Sequence, residues 1–283
     1  MNTLSEIRQE HYRYTFRVVS SDHGIDLRNW RRNPYTCLKS RFYIEMSSIL
    51  VFLLVRTSIH PNTVTLAYAF CGIIGGVLLS IPNNATILTA IFIFFAKGIL
   101  DWTDGTLARM TNRTSATGGV LDPWGALINS LGFQVGLGFY VAAHSGNIIY
   151  FYLVVILMAL RAGDIRYYTY RHFAIQLIDG SGRRSKDESR SGIINDDTRQ
   201  VKLQINGGFA RLKDFISGFL DDRARSVDFV CLLILIEVIF PGIFVTWLIV
   251  WALTAKYLLI FLAGIYLALR RNWIEDTKES ILN

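Results

Sequence analysis

The sequence predicts an all-α fold: a polytopic membrane protein of six transmembrane helices with an N-terminal interfacial amphipathic helix. Three observations lead there. The chain is 52% hydrophobic with a mean hydropathy of +0.34, too apolar for an ordinary soluble domain. Its uncharged runs are divided by short turns such as Pro82-Asn83-Asn84 and Pro241-Gly242. Its basic residues are unevenly spread, with nine Lys and Arg in residues 1–60, two in 101–126 and thirteen in 161–228. The connections at 82–84, 144–147 and 241–242 hold none. By the positive-inside pattern this integral membrane protein keeps both termini, the 101–126 stretch and the 171–227 loop on the cytoplasmic side.

Residues 1–60 read as a cytoplasmic arm and interfacial helix, 61–271 as the six-helix membrane domain and 272–283 as a cytoplasmic tail. The first forty residues are polar, without the apolar core of a secretory signal, and Trp30-Arg31-Arg32 resembles an interfacial anchor. A disordered arm is the competing reading up to Asp26. The apolar run Phe42 to Val55 is interrupted by Glu45. At 1.5 Å per residue it reaches about 21 Å, short of the ~30 Å hydrocarbon core, so it is expected to lie in the interface.

His60-Pro61-Asn62-Thr63 breaks that helix, and Asn62 or Thr63 is expected to cap the first membrane helix, Thr63 to Ile81. Gly72 and Gly76 give it a small-residue packing face. The second helix runs from Ala85 to Leu100 and the third from Ala126 to Ala143, where Gly132 and Gly136 form another such face. The fourth begins near Ile148 and continues past Arg161 to Arg171, and residues 179–208 form a mobile, polar loop. Phe209 to Phe219 is amphipathic. Val227 to Phe240 and Ile243 to Leu269 complete the six, with Glu237 and Lys256 as an expected interhelical pair.

Between the second and third helices stands Asp101-Trp-Thr-Asp104-Gly105-Thr-Leu-Ala108-Arg109, then eight residues, then Gly118-Gly-Val-Leu-Asp122-Pro-Trp-Gly-Ala126. If the helix continues through Arg109, then Asp101, Asp104, Ala108 and Lys97 share a face. Gly118-Gly119 would let the connecting backbone turn tightly and bring Asp122 alongside. Converging carboxylates at the edge of a low-dielectric slab repel one another unless a cation joins them, and oxygen ligands favour magnesium, manganese or calcium. Gly105 and Ala108 leave the helix surface bare for a bulky anion, and Arg109 can pair with phosphate.

These residues resemble the signature of the CDP-alcohol phosphotransferase family, D-x2-D-G-x2-A-R-x8-G-x3-D-x3-D, at seven of eight fixed positions. The resemblance implies a six-helix membrane enzyme, usually a homodimer. Such an enzyme transfers a phosphoryl-linked alcohol from a CDP-alcohol, such as CDP-diacylglycerol, to a hydroxyl acceptor and releases CMP. It implies Mg2+ or Mn2+, two ions, on Asp101, Asp104 and Asp122. It also implies nucleotide contacts at Gly105, Ala108, Arg109 and Gly118, with Asn62 and Thr65 near the pocket. Lys97, Arg161 and Arg166 are candidates for an acceptor's phosphate, with topogenic charge or snorkelling as the alternative.

The eighth position, where the family's acid helps bind metal and deprotonates the acceptor, is Ala126. Alanine has no oxygen to hold a metal or take a proton, so the chemical step is expected to be impaired while binding persists. An inactivating substitution and a natural loss or relocation of the base both account for it. A non-catalytic CDP-ligand-binding membrane protein or dimer scaffold is the alternative function, and an intramembrane prenyltransferase a weaker one. Topology explains the net charge of +7, and no aromatic and basic face points to nucleic acid. Cys37, Cys71 and Cys231 lack metal spacing and read as buried small hydrophobes.

Overall fold

The computed structural model describes residues 3–23, 34–165, 167–174, 224–270 and 274, all its regular elements being α-helices. In chain order these are α1 (Leu4–His23), α2 (Pro34–Leu54), α3 (Pro61–Ser80), α4 (Asn84–Met110), α5 (Ala116–Ser145), α6 (Ile149–Ala162), α7 (Ala224–Ile239) and α8 (Thr246–Arg270). Four of them, α3, α4, α5 and α8, are long and apolar enough to cross a membrane. As described, α6 with 14 residues and α7 with 16 are shorter than a full span, so four of the six expected crossings are supported. The 179–208 loop, the Phe209–Phe219 segment, Trp30-Arg31-Arg32 and Arg166 lie outside the described residues.

The helices follow the expected apolar runs, but several ends differ for local reasons. Residues 4–23 are helical rather than a disordered arm. Ile7, His11 and Thr15, spaced four apart, form a buried stripe on α1, and Ile7 packs with Val51, Val64 and Leu107. The helix α2 starts at Pro34, eight residues before the apolar run, and leaves Leu38, Phe42, Met46, Ile49 and Leu53 exposed along one side. His60, not Asn62 or Thr63, caps α3: its Nδ1 accepts from the Asn62 amide at 3.2 Å, and Pro61 has no N–H to satisfy.

The second helix continues through the motif to Met110, so Asp101, Asp104, Ala108 and Arg109 are helical residues. The third begins ten residues earlier than expected, at Ala116. The turn is made by residues 111–115, with Asn112 at φ 53°, and not by Gly118-Gly119. Ser115 caps α5 by accepting from the Gly118 amide at 3.1 Å, which draws both glycines into the first turn. Likewise α6 does not run on to Arg171. It ends at Ala162, and the chain is helical again at 167–174.

Two compact units are present: residues 1–151 with 222–247, and 152–221 with 248–283. In the first, α3 and α5 meet through backbone. A Cβ on Gly76 would overlap the Gly132 carbonyl, one on Gly132 would overlap that of Gly72, and one on Gly136 that of Gly76. The two expected small-residue faces therefore pack on each other, which the absence of Cβ atoms alone permits. In the second unit a Cβ on Gly163 would stand 3.0 Å from the Phe261 ring, so the end of α6 lies close against α8.

Glu237 corrects another expectation. Its carboxylate accepts from the Val245 amide at 2.6 Å, the Thr246 amide at 2.7 Å, the Thr246 hydroxyl at 2.8 Å and the Tyr140 hydroxyl at 3.0 Å. These four donors, rather than Lys256, satisfy it, and they cap the start of α8. Replacing Gly76 by Leu should lower detergent-solubilised stability by about 1–3 kcal/mol or abolish folding. Gly119→Ala, where a Cβ meets nothing within 4 Å, should leave it unchanged or slightly raised, as read by thermal melting.

Candidate functional site

The site is built where the C-terminal half of α4 crosses the N-terminal turns of α3 and α5. Asp104 is 7% exposed and held at both oxygens: Oδ2 accepts from the Thr65 hydroxyl at 2.6 Å and Oδ1 from the Gly105 amide at 2.5 Å. Thr65 is thereby a direct link between α3 and α4. One turn further along α3, the Tyr68 side chain is buried and lies in the fields of Asp101, Asp104 and Asp122. Its ring lies against Gly125, where a Cβ would stand 3.2 Å away. Asn62 faces Gly118, with Oδ1 3.3 Å from where that residue's Cβ would be.

Asp101, Asp104 and Asp122 act on one another electrostatically, and none forms an ion pair with a described residue. As they stand, no three acid, His or Cys groups among the described residues converge closely enough to enclose a metal ion. The donor chemistry nevertheless fits a hard divalent cation: three carboxylates, mutually repelling, whose repulsion the fields of Lys97 on Asp101 and Arg109 on Asp104 offset only in part. Ala126 is exposed one turn beyond Asp122. Asn129, the next polar group, is fully buried, and its amide donates to the Tyr68 carbonyl at 2.6 Å and the Gly125 carbonyl at 3.3 Å. It is a structural tie between α3 and α5.

Arg109 lies with Gly105 and Ala108 at the end of α4. Its guanidinium bonds the Thr106 hydroxyl at 3.0 Å and stacks on the Tyr14 ring at 3.6 Å, while Nε is buried without a partner among the described residues. Lys97 lies 5.7 Å from the Phe94 ring centre and in the fields of Asp101 and Asp228. Arg161 belongs to the other compact unit, where it packs over the Tyr257 ring at 5.0 Å. Tyr68, Tyr14 and His11 escaped the sequence reading. Tyr68 had a signal, being three residues from Thr65 on the same helical face. The two α1 residues had none, because nothing local says which face of a polar helix is buried.

His11 is 2% exposed, with Nδ1 3.2 Å from the Ser47 hydroxyl and its ring 5.8 Å from that of Trp102. Burial, and secondarily the Arg109 charge, push its pKa down to about 4, so the imidazole is neutral at physiological pH.

Four apolar helices of spanning length point to an integral membrane protein. Residues 58–179 match the family model described as CDP-alcohol phosphatidyltransferase, a family of transferases of substituted phosphate groups, and this stretch is similar to that family. No curated protein matches the chain. The matched stretch contains α3, α4, α5 and α6, and hence every residue of the carboxylate cluster.

The neutral, buried His11 gives a stability signature. An unfolded histidine, with its usual pKa near 6.5, takes up a proton before the folded one at about 4 does. Stability should be full above pH 6.5, decline as pH falls towards 4, and level off below. Thermal melts of His11→Gln should lack that part of the decline. An identical pH profile in the two proteins would contradict the assignment.

Proposed function

We propose that this chain binds a CDP-alcohol at the α3–α4–α5 crossing in a metal-dependent manner, and that the site serves transfer of its substituted phosphate to a hydroxyl acceptor with release of CMP. The observation that carries the reading is Asp104, held at both oxygens by Thr65 and the Gly105 amide and lying in the fields of Asp101 and Asp122, within the family-matching residues. Asp101, Asp104 and Asp122 would hold magnesium or manganese, two ions in this reading. Bound there, the metal supplies charge neutralisation for the diphosphate and the leaving CMP oxygen.

The chain's own residues account for the rest. Thr65 and the Gly105 amide fix both oxygens of Asp104, so the carboxylate is oriented before ligand arrives. Gly105, Ala108 and Gly118 present little or no side chain beside the acids, with Arg109 Nη1 lying over Gly105 and Asn62 over Gly118. Arg109 offers in-plane donors to a phosphate oxygen. Lys97, within reach of the Asp101 field, is assigned to an acceptor's phosphate. The exposed apolar side of α2 suits a helix lying in the membrane interface, and the basic segments orient the site to the cytoplasm. By family resemblance the assembly is a homodimer.

Ala126 favours a second reading, a binding protein without turnover. Nothing on α5 one turn from Asp122 can take a proton, since Asn129 is committed to two backbone carbonyls. Both readings share the binding site and differ at this position. CMP release from CDP-diacylglycerol, assayed with a panel of hydroxyl acceptors and magnesium, should rise ~10²- to 10⁴-fold in Ala126→Asp. Asp104→Asn in the same background should remove the gain. An Ala126→Asp protein that binds CDP-diacylglycerol but releases no more CMP than its parent would support the binding-protein reading.

A further inference from the structure

The first 57 residues lie outside the family-matching stretch, yet α1 reaches the motif. Its buried stripe of Ile7, His11 and Thr15 seats it against α2 and α4 through Val51, Leu107, Ser47 and Trp102. On the same side, Tyr14 follows His11 by three residues, and its ring lies 3.6 Å from the Arg109 guanidinium. That distance is a face-on stack. Arg109 otherwise has one hydrogen bond, to Thr106, no ion pair among the described residues, and a buried Nε without a partner, with Glu10 and Asp104 acting on it only through their fields.

The two modes by which a guanidinium binds are perpendicular. An aromatic ring takes the face of the cation, whereas phosphate oxygens take the N–H donors at its edge. Tyr14 therefore occupies the direction in which a diphosphate does not bind, and it leaves the edge free. A long arginine side chain left unpinned would sample many rotamers and lose that freedom on binding. Pinning it in advance reduces that cost.

Resting on the proposed function of the α3–α4–α5 site, we propose that α1 is an accessory wall of the donor site and that Tyr14 is a positioning residue, holding the Arg109 guanidinium edge-on to the diphosphate of the CDP-alcohol. The hydroxyl of Tyr14 has no part in this. The aromatic face does the positioning, so Tyr14→Phe is the conservative variant and Tyr14→Leu keeps the apolar contact while removing the π face.

The test is equilibrium binding of CDP-diacylglycerol to the full-length protein in detergent with magnesium, which needs no turnover. Tyr14→Leu should weaken binding about 3- to 30-fold, the range of a desolvated cation–π contact, and Tyr14→Phe should stay within about 2-fold of the parent. In an Arg109→Ala background Tyr14→Leu should cost nothing further, because the ring acts only through the guanidinium. Thermal melts show whether Tyr14→Leu is folded, and Tyr14→Met replaces it if not. Unchanged or tighter binding in the folded variant, or an equal loss with and without Arg109, overturns the positioning role. A parent protein that binds no CDP-diacylglycerol overturns the functional reading itself, and is recognised before any variant is compared.

Discussion

The contact between the backbones of α3 and α5 sets the rest of the structure. Gly72 and Gly76 on one helix and Gly132 and Gly136 on the other leave no room for a Cβ at the crossing. In a bilayer the apolar side chains gain nothing by leaving lipid for one another, so such close approach contributes through van der Waals packing. It has a positional consequence as well. With the axes so close, the N-terminal turns of α3 bring Thr65 and Tyr68 within reach of α4 and α5, and Asn129 ties the Tyr68 carbonyl to α5. A wider separation would open the cluster of Asp101, Asp104 and Asp122.

That cluster is costly in isolation. Three carboxylates within one another's fields, with Asp104 nearly excluded from solvent, destabilise the empty protein unless cations or fixed donors offset them. Thr65 and the Gly105 amide offset part of the cost at Asp104, and the divalent ions of the proposed reaction would offset the remainder. The same logic operates away from the site. Glu237 is a buried acid that four donors satisfy entirely, and it serves only to join the α7–α8 turn to Tyr140.

Much of this was legible in the sequence, and the exceptions have physical causes. Apolar runs located the helices because burial in lipid demands them, and the glycine pairs were correctly read as packing faces. The motif spacing placed Asp101, Asp104, Ala108 and Arg109 on one helix once α4 continued through them. The start of α5 was misread because Gly118-Gly119 and Pro123 are turn residues by local preference. Ser115 capping overrides that preference. His60 was overlooked as a cap because its role depends on the proline that follows it. The docking of α1 was invisible, since its polar composition gives no sign that His11 and Tyr14 face the motif. Pairing Glu237 with Lys256 failed because backbone amides at a helix start, which no sequence pattern displays, were nearer partners.

The central claim is that the three acids form one divalent-cation site matched to a diphosphate. Electron paramagnetic resonance of manganese measures it directly: titrating Mn2+ into the purified protein and following loss of the free-ion signal, with and without CDP-diacylglycerol. The account predicts about two bound ions per chain, tightened by CDP-diacylglycerol, with binding lost in Asp104→Asn. Manganese that stays free in the presence of CDP-diacylglycerol, or binding that Asp104→Asn leaves intact, would contradict it.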